Sequence, residues 1–112
     1  MWKFPLHATA KRQFMTSYSA PLDNVRFLIN DVFDYPEHYA KFPQLNDLTP
    51  DLVDAIISEC ANFCEKELAP LNQSGDHEGC HFDNGKVSTP KGFKQAYQRY
   101  IEAGWQSLSY PE

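Results

Sequence analysis

The stretch FCEKELAPLNQSGDHEGCHFDNGKVSTPKGFKQAYQRYIEAGWQSLSYPE, Phe63 to Glu112, reads as helix, hairpin and helix, and it decides the fold class. Asp83-Asn84-Gly85 is strong turn chemistry for a residue pair needing positive φ, so Cys80 to Ser88 is a small hairpin. Two such strands are marginal alone and need a helix to lean on. After them Thr89-Pro90 offers an N-cap and a proline start for a last helix, whose Phe93, Ala96, Tyr97, Tyr100 and Ile101 line one side and which Gly104 can close. Beyond it Trp105, Leu108 and Tyr110 put bulky groups on a segment with no further element to cover them.

Upstream, Thr49-Pro50 supplies an N-cap and N1 pair, with Asp51 and Asp54 placing negative charge where the helix dipole favours it. Leu52, Val53, Ile56, Ile57, Cys60, Phe63, Cys64, Leu68 and Leu71 then cover an apolar sector of about 160° at 100° per residue, opposite Asp54, Ser58, Asn62, Glu65 and Lys66. Pro70 removes a donor and crowds the carbonyl of Lys66, which predicts a kink there and a helix end near Ser74-Gly75. Earlier still, Val25, Leu28, Ile29, Val32 and Phe33 recur at helical spacing between Pro21 and Phe33, with Asp23 or Asn24 as cap and Phe27 on the opposite face. Tyr35-Pro36 ends that helix, and Pro36 to Phe42 makes a short turn. The fold class is mainly α with one small β-hairpin.

With 112 residues, 42% hydrophobic and 14% aromatic, the chain holds one small core. A net charge of -5 argues against adhesion to nucleic acid or anionic lipid, which requires a basic surface. No apolar run approaches the roughly 20 residues that span a membrane. Three cysteines, an odd number, fit a reduced, cytoplasmic setting. Residues 1–14 carry Lys3, His7, Lys11 and Arg12 without an acid and read as an extraneous or flexible leader, with residues 15–112 as the helical segment proper.

Candidate chemistry is sparse. Glu67 is the one carboxylate within the apolar sector, where desolvation could raise its pKa as a base requires; pairing with a Lys or Arg on a neighbouring element is the stronger reading. His77, Cys80 and His81 cluster beside Asp76 and Glu78, but no second ligand pair completes a zinc set. Cys60 and Cys64 are spaced as neighbours on a helix stripe and read as core thiols, not as a chelating knuckle for a metal ion. No cysteine or histidine sits in a nucleophile motif, and the five glycines fit turns, caps or helix positions rather than a phosphate cradle.

Three stretches together resemble the amino-terminal part of the acyl-CoA dehydrogenases. They are YSAPLDNVRFLINDVF (18–33), FCEKELAPLNQSGDHEGC (63–80) and STPKGFKQAYQRYIEAGWQSL (88–108), the last similar to the family's capped helix and GGW-x-GL exit, with Ala103 where a second glycine often stands. The likeness runs from Met15 onward and points to the longer-chain branch of 3-methylmercaptopropionyl-CoA dehydrogenases and broad acyl-CoA dehydrogenases. It implies an incomplete amino-terminal helical domain of an enzyme that uses FAD to desaturate acyl-CoA thioesters, a glutamate removing the α-proton while hydride leaves the β-carbon for flavin N5. In that family the base, the flavin contacts and most CoA contacts lie in later domains, so no residue here is carried over as catalytic, cofactor-binding or metal-ligating. The resemblance implies that these helices wall the acyl tunnel, brace the remaining domains and are inactive alone. The alternative is a stand-alone helical interaction module derived from such an enzyme, which would bind a partner or itself through its exposed apolar faces.

Overall fold

The computed structural model describes residues 17–110, so the leader reading for 1–14 lies outside the described residues. The architecture is helical with one hairpin: α1 Leu22–Phe27, α2 Tyr35–Ala40, α3 Pro50–Phe63, α4 Ala69–Glu78, β1 His81–Asp83, β2 Lys86–Ser88 and α5 Phe93–Glu102. Helix α3, a π-helical turn over Cys64–Leu68 and α4 form one uninterrupted spine from Pro50 to Glu78. Against it, α1 and α5 both run antiparallel.

The start of the spine follows its sequence. Thr49 takes an extended backbone conformation and its Oγ1 accepts the N–H of Leu52 at 3.2 Å, with Pro50 in the first turn. Further along, where a kink is expected at Pro70, the spine carries a π turn just ahead of the proline. Pro70 has no N–H to give the carbonyl of Lys66 and its ring would crowd that oxygen; in the wider turn the preceding N–H, that of Ala69, donates back five residues to the Cys64 carbonyl. The helix also outlasts its expected end at Ser74-Gly75. It stops at Glu78, where Gly79 adopts φ +68. Gly75 lies inside it because the helix needs a small residue there: a Cβ on Gly75 would lie 2.4 Å from Phe93 Cζ.

The expected first helix is present but mixed, α1 passing into a π turn over Leu28–Val32 that Phe33 N–H closes on the Leu28 carbonyl at 3.0 Å. Neither Asp23 nor Asn24 caps it. Pro21 holds the N-cap position without a side-chain bond, because the chain enters α1 already tethered to the spine at Ala20. Asp34, at φ 47, caps α2 by accepting the Glu37 N–H at 3.4 Å.

The hairpin pairs His81 with Ser88, Phe82 with Val87 and Asp83 with Lys86. Its turn residues Asn84 and Gly85 take φ 47 and 76, the double positive φ expected of this dipeptide. The last helix starts later than Thr89-Pro90. Gly92 intervenes at φ +91, outside the helical region, and α5 opens at Phe93. Gly104 then ends it with φ 76.

Packing is thin. Among the described residues the buried apolar side chains are those of Ala61, Pro90 and Ala96, and no large side chain is fully enclosed. Phe33 is 60% exposed, Tyr97 63% and Phe82 75%. Trp105, expected to lie bare, is half-buried against Phe63 with ring centres 6.2 Å apart, whereas Leu108 and Tyr110 remain exposed.

Candidate functional site

The site is a cleft of about 1070 Å³ around the π turn of the spine. Three elements form it. Cys64, Leu68 and Leu71 come from the spine, Phe93, Ala96, Tyr97 and Tyr100 from α5, and Ser17 to Ser19, ahead of α1 and outside any helix or strand, supply the remaining wall. The lining is predominantly carbon, with Asn72 and the serine and tyrosine hydroxyls among its polar points.

Two seams hold the walls. On one side the spine presents Asp54, Ser58, Ala61 and Glu65, a single stripe at four-, three- and four-residue spacing. The polar members of that stripe look solvated from periodicity alone; the structure uses them as the seat for α1. Arg26 Nε donates to Asp54 Oδ1 at 2.6 Å, its Nη2 to Asp54 Oδ2 at 3.2 Å and to Ser58 Oγ at 3.1 Å. Ala61, on the same stripe between the polar contacts, is 7% exposed. Glu65 Oε1 accepts the Ala20 N–H at 2.7 Å and fastens the segment ahead of α1 beside the cleft. The Arg26 bond holds the Asp54 carboxyl below its ordinary pKa, and Asp54 in turn pushes the Arg26 guanidinium up.

On the other side α5 packs antiparallel to the spine. Phe93 covers Gly75, Gly92 lies under Leu71, Arg99 pairs with Glu67, and Tyr100 and Trp105 flank Phe63 with ring centres at 6.3 and 6.2 Å. A Cβ at Gly92 would stand 2.7 Å from Leu71 Cδ2. The base reading of Glu67 therefore gives way to the pairing reading, Arg99 being the neighbouring cation.

The hairpin is anchored by Glu78. Its Oε2 accepts the Lys91 N–H at 3.0 Å and its Oε1 faces His81 Nε2 at 3.2 Å; the first contact, then the second, lowers its pKa. His77 Nδ1 donates to the Gln73 carbonyl at 2.8 Å. His77, Cys80 and His81 are thus not drawn together, and among the described residues no three His, Cys, Asp or Glu side chains group to hold a metal. Cys60, Cys64 and Cys80 are free thiols, and burial followed by the neighbouring Cys60 pushes the Cys64 thiol up. No helix among the described residues is long and apolar enough to cross a membrane.

With this geometry in hand, comparison with known proteins is decisive. The chain is 36% identical over 101 residues to 3-methylmercaptopropionyl-CoA dehydrogenase of Ruegeria pomeroyi, across 85% of its own length. It belongs to the acyl-CoA dehydrogenase family, as an amino-terminal region. Butyryl-CoA dehydrogenase of Syntrophomonas wolfei is 39% identical over 57 residues, 48% of this chain. The matches span 16% of the first relative and 9% of the second, so the chain corresponds to a small part of their length. No family model matches it.

Sequence reasoning missed the cleft, because one of its walls is irregular backbone without periodicity. The signal that was available is the polar stripe through Asp54, Ser58 and Glu65, interrupted by Ala61.

Proposed function

We propose that this chain is the amino-terminal bracing region of a FAD-dependent acyl-CoA dehydrogenase, walling the acyl pocket and contacting the remaining domains, in the cytoplasm, and inactive by itself. Residues 15–112 form that region, with residues 1–14 an extraneous or flexible leader. The observation that carries the reading is the carbon-lined cleft held open between two antiparallel seams on a spine whose large apolar residues stay half-covered. A thioester's alkyl chain would be matched by such a wall, since each buried CH₂ contributes about 0.8 kcal/mol.

FAD, when bound in the longer protein, would accept the hydride equivalent released during desaturation. We assign it to the remainder of the polypeptide. In support, the Lys91 N–H beside the start of α5 is already taken by Glu78, and Gly92 is packed under Leu71, leaving no open cradle for a pyrophosphate at that turn. The chain's own contribution is position and exclusion of water.

Titration of the purified chain with FAD, followed by flavin fluorescence, tests the reading. No stoichiometric binding and no acyl-CoA-dependent dye reduction are expected, while addition of the chain to a dehydrogenase stripped of the matching residues should raise that protein's activity. Tight one-to-one flavin binding by the isolated chain, or no effect in the mixture, would contradict it.

A further inference from the structure

We infer that Cys60 and Cys64 form a dithiol clamp for trivalent arsenicals at the edge of the cleft. The two residues are one helical turn apart on the spine, where side chains at i and i+4 stand over one another with Cβ atoms about 5–6 Å apart. That spacing is intact here, because the N–H of Cys64 still bonds to the Cys60 carbonyl before the π turn begins. Cys60 is exposed and Cys64 lines the cleft, so an electrophile reaches the first thiol from solvent and the second without unfolding the helix. The sulfurs also sense one another, since Cys60 contributes to raising the Cys64 thiol. Arsenic(III) is soft and prefers sulfur to the neighbouring oxygen donors.

The reaction is a condensation. An arylarsine oxide meets two thiols; two As–S bonds form, the As=O bond is broken, and the oxygen leaves as water with both thiol protons. Arsenic remains trivalent and neither sulfur is oxidised. Two bonds from one rigid turn make the second event intramolecular, which raises affinity roughly 100-fold or more over a single thiol. Cys80, which lies outside the spine beside the hairpin, serves as the internal control. This site does not depend on the acyl-pocket reading.

Phenylarsine oxide titrated into the full chain, monitored by intact mass and by loss of titratable thiols, tests the clamp. One equivalent should bind, two thiols should disappear, and 2,3-dimercaptopropanol but not 2-mercaptoethanol should release the adduct from the unsubstituted protein. Cys60→Ser and Cys64→Ser should each lower affinity roughly 100-fold, whereas Cys80→Ser should leave it unchanged. Release by the monothiol, loss of a single thiol, or equal affinity in Cys60→Ser would overturn the proposal. The competition result does not require any variant to fold.

Discussion

The backbone N–H of Ala20 donates to Glu65 Oε1 at 2.7 Å, joining residues 45 apart and fixing one wall of the cleft to the spine. Charge-assisted bonds of this kind are stronger than neutral ones. Glu65→Ala should therefore lower stability by about 1–2 kcal/mol and speed hydrogen exchange at the Ala20 amide. Glu65→Gln keeps an acceptor and should recover part of that loss. An Ala20 amide that exchanges equally fast in all three proteins would show that the tether carries no weight.

The α5 seam relies on two glycines for different reasons. Gly75 has no room for a Cβ beneath Phe93, and Gly92 combines a backbone at φ +91 with a close approach to Leu71. Gly75→Ala should cost about 1–3 kcal/mol through overpacking, despite the better helix propensity of alanine. Gly92→Ala should cost a similar amount, about 1–2 kcal/mol of it from the left-handed backbone. Chemical denaturation of both variants checks the values; a stabilised Gly75→Ala would mean that Phe93 moves freely.

Two carboxylates with lowered pKa values contribute to the acid limb of stability. Asp54, beside Arg26, and Glu78, bonded to the Lys91 N–H and facing His81, both have folded pKa values below their unfolded ones. Between those values the unfolded chain binds more protons, so stability rises with pH there, is fully present above the unfolded values, and is lost as pH falls through the folded ones. The decline should begin near the ordinary values of 4.5 for Glu and 3.8 for Asp. Thermal melts of Asp54→Asn and Glu78→Gln should have a flatter limb below that point than the parent protein. Parallel limbs would exclude both pairs as its source.

Much of the fold was legible where one local rule acts alone. Thr49-Pro50 caps the spine and Asn84-Gly85 turns the hairpin because neither depends on distant residues. Local rules failed where tertiary contact competes with them. Thr89-Pro90 has the chemistry of a helix start, yet Gly92 beneath Leu71 defers α5 to Phe93. Pro70 disturbs the spine as expected, but the strain is taken up one turn earlier as a π turn, which also carries Cys64 and Leu68 to the cleft. The stripe Asp54–Ser58–Glu65 looked solvated because hydrophobic periodicity has no means of marking a seam closed by an arginine and a backbone amide.

The half-covered helix faces are the surface that, in the reading proposed above, further parts of a dehydrogenase cover. Urea unfolding of the isolated chain, followed by tryptophan fluorescence and by binding of an apolar dye to the native state, measures that most directly. We predict strong dye binding and a shallow transition, with an m-value below about 1 kcal/mol/M, the lower end for small domains. A steep, cooperative transition at high urea with no dye bound would mean that the chain satisfies its own apolar surface, and would contradict the account.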